Sequence, residues 1–216
     1  MAGFRNWVTL IRVHRAGRRA AARVERGDPA AGAEALTQAI ALADRQWGAA
    51  NPQSIALRSN LVHVRLVLGD LTAARELGER TVALSRQVLG EDHMVTWNAV
   101  NNLALVVQAD GDPARARTLH EQELAASRRL RGAAHPDTIT SMSNLAQCLF
   151  RLGEAEAAHD LFEEVARLSR DVHGADDPRT RVALDNLALV AVALGDLDRA
   201  RQLHEEAVDG LGRAEP

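Results

Sequence analysis

Lysine and tyrosine are absent from this 216-residue sequence, cysteine occurs once, and aromatic residues make up 3 %. Without lysine there is no amine to form a Schiff base and none to complete a phosphate-binding loop; all 26 basic residues are arginine. A single cysteine, Cys148, excludes an intramolecular disulfide and fits a reducing compartment. With few aromatics to supply buried area, the core has to be assembled from Leu, Val and Ala. Ala and Leu also favour helix, so thin, close-packed helical seams are expected. Near the N-terminus the apolar run Trp7-Val8-Thr9-Leu10-Ile11 ends at Arg12. That is too short for a signal-peptide core or a membrane span, and a cytoplasmic location is expected.

Charge is unevenly spread. Seven arginines against one glutamate give residues 1–26 a charge of +6, so within the net −3 the remainder carries −9. A basic opening on an acidic body is the main electrostatic feature of the sequence.

What the sequence has in abundance is internal repetition. Gly48, Gly90, Gly132 and Gly174 are 42 residues apart, as are Asn60, Asn102, Asn144 and Asn186, each followed by Leu. Gly69, Gly111, Gly153 and Gly195 keep the same register, as do Ala74, Ala116, Ala158 and Ala200 and then Leu77, Leu119, Leu161 and Leu203. Each unit reads as two helices. Pro136 and Pro178 stand where proline starts a helix, because its missing N–H is unpaired there in any case. Glycines 69, 111, 153 and 195 stand just past a helix end, where a left-handed residue closes the last turn. In the third unit Leu145, Leu149 and Leu152 form one apolar stripe, facing Ala158, Leu161, Val165 and Leu168 on the second helix. Counting back from Gly69 reaches Gly27-Asp28-Pro29, which predicts a helix from Pro29 to Trp47, preceded by one from Phe4 to Glu25. The expected organisation is a degenerate N-terminal helix pair over 1–47, then four 42-residue repeats over 48–216 in one continuous domain of about ten helices.

Asn-Leu-Ala, then Gly, then Ala-(x)2-Leu, and a long second helix running to Asp/His-Pro-(x)-Thr, resembles the kinesin-light-chain type of tetratricopeptide repeat. The resemblance covers residues 48–212 strongly and 1–47 weakly. It implies an all-α fold, a right-handed solenoid of antiparallel helix pairs, with a groove lined by the first helix of each pair and a protein or peptide segment as partner. The architecture says little about which partner.

Helical spacing puts Ala56, Asn60, His63 and Val67 on the asparagine face of the first full unit, and Asn98, Asn102, Leu105 and Ala109 on that of the second. Thr140, Asn144, Gln147 and Arg151 follow in the third unit, then Val182, Asn186, Leu189 and Ala193. Ser59, Asn101, Ser143 and Asp185 border the face. Amides donate and accept, so a recurring Asn suits the backbone of an extended peptide, the role the resemblance implies. The same Asn could instead tie its helix to the neighbouring unit, and the sequence leaves both roles open. Arg151 is the single arginine on this face, which argues against a clamp for a peptide C-terminus.

No catalytic residue, metal site or cofactor is expected. His93 and His135 fall in a loop column and read as capping residues, while His120 and His204 share a column with Gly78 and Phe162 and read as packing positions. The His-Glu pairs at 120–121 and 204–205 lack the second histidine of a zinc helix. Cys148 lies in an apolar stretch and reads as a small buried hydrophobe. His63 is the one histidine on the predicted groove face; a groove-built enzyme would use it, given an orienting carboxylate. A further alternative is a regulatory module that senses a peptide or small molecule and acts through a separate effector, since no DNA-binding helix-turn-helix is present. Arg12, Arg15, Arg19 and Arg23, with Arg5 and Arg26, fall within an arc of roughly 80° on a helix. Aromatic interleaving is missing, so nucleic acid and membrane are not expected partners. The sequence stops after a second helix, which predicts that Val190, Leu194 and their neighbours are exposed and are covered by self-association or a partner.

Overall fold

The computed structural model describes residues 13, 15–24 and 26–212. A first helix, α1, occupies 15–24; the rest of the helix expected from Phe4, with Arg12, lies outside the described residues. Then follow α2 (Pro29–Trp47), α3 (Pro52–Val67), α4 (Leu71–Leu89), α5 (Met94–Ala109) and α6 (Pro113–Arg131). α7 (Pro136–Arg151), α8 (Ala155–His173), α9 (Pro178–Ala193) and α10 (Leu197–Gly212) complete the series. There is no strand among the described residues, and none of their helices is long and apolar enough to cross a membrane.

Local chemistry sets these boundaries. Proline opens α2, α3, α6, α7 and α9, where its ring fits and its missing N–H is harmless. Side chains cap the starts. Asn51 and Asp177 accept from Gln53 N and Arg179 N, while the Nδ1 atoms of His93 and His135 accept from Val95 N and Asp137 N. The two histidines therefore cap helices, as their column predicts. Glycines with positive φ recur every 21 residues from Gly27 to Gly195. At Gly174, φ 93° with ψ 162° is backbone that only glycine adopts readily, and Thr180 Oγ1 donates to its carbonyl at 2.7 Å to close the turn into α9.

The chain divides into two compact units, Met1–Leu119 and His120–Pro216. In the first, Leu36, Ala39 and Ala43 of α2 bury against Leu57, Leu61 and Val64 of α3. Val62, Ala74 and Val106 join α3, α4 and α5. Arg75 bridges α4 to the end of α5 through Asp110 at 2.6 Å.

In the second unit, Leu124, Met142, Leu145, Leu149, Phe162, Val165, Leu187 and Leu203 belong to one core. Leu145 and Leu149 of the predicted stripe are buried there with Ala158, Val165 and Leu168, and Leu161 packs at the edge. Cys148 is fully buried. The expectation for the last helix pair needs correcting: Val190 is 0 % exposed because α9 buries it under α10, whereas Leu194, at the end of α9, is 39 % exposed.

The column holding Gly78, His120, Phe162 and His204 shows how the repeat tolerates variation. A Cβ at Gly78 would meet Leu103 Cδ1 at 3.0 Å and Val62 Cγ1 at 3.6 Å. Two repeats on, Phe162 takes that position in the core, and the residue in the Val62 column is Ala146. Large faces small at both of these positions, which keeps the seam at one thickness; His204, expected from the column to pack, is instead exposed.

Candidate functional site

The predicted groove residues lie on the exposed face of the odd-numbered helices. Asn60, His63, Asn98, Gln147 and Arg151 are exposed, and Asn101, Asn102, Asn144 and Asn186 are half-buried. Exposure arises because the opposite faces of α3, α5, α7 and α9 carry the Leu, Val and Ala that pack into the cores.

In the first unit a cleft of about 460 Å³ is lined by Gly17, Ala20, Ala21 and Val24 of α1, Leu36 of α2, Asn60, His63 and Val64 of α3, and Asn102 of α5. The structure thus brings together Asn60, His63 and Asn102. Their amides are not equivalent. Asn102 Nδ2 donates to Ser59 O at 3.0 Å and to Ser59 Oγ at 2.9 Å, fastening α5 to α3. Asn60 has no such tie, because the residue in the Ser59 column one repeat earlier is Gly17, which has no hydroxyl.

In the second unit a cleft of about 470 Å³ lies between α7 and α9 over α8. Ile139, Val165, Val182 and Ala183 make its walls apolar, and Thr140, Ser143, Ser169 and Asn186 supply polar groups. Ser143 and Asn186 stand in the same columns as Ser59 and Asn102, yet no hydrogen bond joins them. One pair of columns therefore yields a closed tie in the first unit and an open, amide-lined cleft in the second.

The mouth of this cleft carries Asp137, His173 and Arg179. Arg179 forks onto Asp177, Nε at 2.9 Å and Nη2 at 2.8 Å, while Asp177 also caps α9. Those bonds from Arg179 hold the Asp177 carboxyl well below the usual carboxylate range. Asp185 is turned towards α10, its Oδ1 3.1 Å from His204 Nδ1. Gln147 and Arg151 lie on α7 outside the cleft lining, and Arg15, Arg19 and Arg23 line a separate groove against α2.

Chemically, the first-unit cleft offers amides and an imidazole and the second an amide and hydroxyls, each set in apolar walls, an arrangement for holding a ligand. His63 has no orienting carboxylate among the described residues lining its cleft. The described residues contain no cluster of three or more metal-ligating side chains.

Column reasoning missed one feature that it could have found. Glu123 shares a column with Thr81, Val165 and Ala207, so a carboxylate stands where the other repeats place small or apolar groups. It is 4 % exposed, and burial pushes its carboxyl up to about 7. Three residues earlier His120 is 0 % exposed with neither ring nitrogen bonded, and burial pushes its imidazole down to about 4.

Family models described as "Tetratricopeptide repeat" match residues 55–93, 94–171 and 161–211. No curated protein matches the chain in sequence. Among solved structures, a putative kinesin light chain of nearly identical TPR-like repeats from Podosopora anserina aligns with TM-score 0.76 at 23 % identity, over 94 % of this chain and 97 % of that one. BtubC (BKLC) from P. vanneervenii aligns with TM-score 0.78 at 19 % identity, over 100 % of this chain and 94 % of its own. A Rap protein complexed with Competence and Sporulation Factor aligns with TM-score 0.79 at 11 % identity, over 94 % of this chain and 54 % of the Rap chain. At these identities the likeness concerns the fold.

Proposed function

This chain belongs to the tetratricopeptide-repeat family, and on that premise we propose that it is an adaptor that binds an extended peptide segment on the asparagine face of its first helices. The carrying observation is the pair Asn186 and Ser143, without side-chain hydrogen bonds among the described residues, in an apolar-walled cleft of about 470 Å³. Polar groups set into an apolar concavity need a partner, and an extended peptide offers N–H and C=O groups at regular intervals with side chains between them. The walls formed by Ile139, Val165 and Val182 suit one apolar side chain of that peptide. Asn60 and His63 give the first-unit cleft the same character. The action is binding rather than catalysis, and a single, buried cysteine, Cys148, is in keeping with a cytoplasmic setting.

A narrower reading is a module that senses a short peptide and works through a separate effector. The Rap structure, solved with a bound factor, supports it at the level of fold. Selection from a displayed random-peptide library, followed by calorimetry on the enriched peptides, tests both readings. Enriched peptides should bind, and Asn186→Ala should weaken them about fivefold, the loss of one neutral hydrogen bond. Failure to enrich any peptide, or equal binding by Asn186→Ala, Ser143→Ala and Asn60→Ala, would refute the proposal.

A further inference from the structure

Three arginines of α1 remain outside that reading. Arg15, Arg19 and Arg23 line a groove of about 350 Å³ whose other wall is Ala35, Gln38, Ala39 and Leu42 of α2. They stand on a different flank of α1 from Gly17, Ala20 and Ala21, which line the first-unit cleft.

Two observations set this groove apart. Among the described residues no carboxylate lines it. Further along the first unit several arginines are matched to carboxylates: Arg58 with Asp44, Arg65 with Asp70, Arg75 with Glu79 and Asp110, Arg86 with Glu91, and Arg115 with Glu79. Arg15 and Arg19 are exposed and have no ion pair or hydrogen bond among the described residues, while Arg23 is braced by donating Nη1 to Ala31 O at 2.9 Å. A row of arginines set in a concavity, with no carboxylate among the described residues beside it, calls for an anionic partner.

We propose that this groove binds an extended acidic peptide segment, with alternate carboxylates on Arg15, Arg19 and Arg23. Spacing supports the match. Residues four apart on a helix advance about 6 Å, and alternate side chains of an extended strand are about 7 Å apart on one face. A planar guanidinium takes a carboxylate through two parallel bonds, and the aliphatic floor of Ala39 and Leu42 accommodates the methylene stems. Two features disfavour larger polyanions. The groove has no aromatic side chain on which a nucleobase could stack. Outside residues 1–26 the chain carries −9, which repels an extended anionic surface but not a segment confined to the groove.

Fluorescence anisotropy with a labelled peptide of alternating glutamate and alanine tests the assignment on the full chain. Duplex DNA and phosphatidylserine vesicles serve as competing probes. The peptide should bind in a salt-sensitive manner, and Arg15→Gln with Arg19→Gln should weaken it about tenfold. Arg167→Gln with Arg201→Gln, which removes equal charge from exposed positions of the second unit, should leave binding unchanged. Circular dichroism should show both double variants folded, since Arg15 and Arg19 have no bond among the described residues and Arg167 and Arg201 make only exposed i,i+4 pairs. The proposal is overturned by equal loss in the two double variants, by no peptide binding at low salt, or by tighter binding of DNA or vesicles through Arg15 and Arg19. Asn186→Ala should not affect this probe, so the two sites succeed or fail separately.

Discussion

Ser141 Oγ lies 2.8 Å from Glu123 Oε1 and 2.9 Å from the carbonyl oxygen of Asp137, yet a hydroxyl has one proton to give. The geometry is satisfied if Glu123 is a neutral acid that donates to Ser141 Oγ, leaving the serine proton for the Asp137 carbonyl. Burial at 4 % exposure favours the same state. The remaining oxygen, Oε2, is unbonded, and an uncharged carbonyl there is far cheaper to bury than a carboxylate.

The sign of the pH dependence follows. Burial raises the Glu123 carboxyl from 4.5 to about 7 and Asp137 adds to the rise, while Arg131, and Ser141 when it donates to the ionised carboxylate, pull it down. The stability it contributes is full below about 4.5, declines as the unfolded state ionises, and is lost as pH rises through about 7. His120 works in the opposite sense. Its imidazole falls from 6.5 to about 4, so its contribution is full above about 6.5 and lost as pH falls through about 4. Between about 4.5 and 6.5 the two slopes oppose one another. Urea unfolding across pH 4–8 should therefore be nearly flat in that window for these two groups. Glu123→Gln should reveal a rise with pH and raise stability at pH 8 by about 3 kcal/mol at most. A Glu123→Gln profile parallel to the parent would show that Glu123 is already ionised.

His120→Leu should reveal the falling limb and should not destabilise the protein. Removing both unbonded ring nitrogens from a 0 % exposed site relieves an unmet polar demand of about 1–3 kcal/mol. A loss of several kcal/mol in the same titration would mean that the ring's shape outweighs its polarity.

Asn102→Ala and Asn186→Ala should separate cleanly. Asn102→Ala breaks both bonds to Ser59, a residue 2 % exposed, and should cost about 1–2 kcal/mol of stability. Asn186→Ala should leave the melting temperature within error and weaken peptide binding instead. Equal melting temperatures for the two variants would remove the distinction between tie and site.

Gly174→Ala tests the turn into α9. A Cβ there meets nothing within 4 Å, so any loss reflects backbone conformation alone, about 1–3 kcal/mol. Thermal unfolding at unchanged helix content is the measurement, and an unchanged midpoint would contradict the assignment.

Gly78→Ala tests seam matching. Its Cβ would press on Leu103 Cδ1 at 3.0 Å with Val62 behind, so Val62→Ala should give Leu103 room. The double variant should be more stable than the sum of its parts by about 0.5 kcal/mol or more in a denaturation cycle. Strict additivity would show that the two positions do not share the space.

The helix pairs were legible because their signals are local. Proline at helix starts, side-chain caps beside them and glycine in left-handed turns act within a few residues, so Pro29–Trp47 emerged at the residues predicted. Periodicity likewise placed Asn60, Asn102 and Asn186 on the exposed face of their helices. What each asparagine does there was decided by its neighbour from the previous repeat. Ser59 engages Asn102, Gly17 offers Asn60 no hydroxyl, and Ser143 stands apart from Asn186 across a cleft. Hydrogen bonding fails beyond about 3.5 Å, so the distance between packed helices, which no 42-residue spacing encodes, separates an asparagine that ties two helices from one that does not. The Glu123 carboxyl belongs to the same class: its sequence neighbours are ordinary, and only burial in the folded chain raises it to about 7.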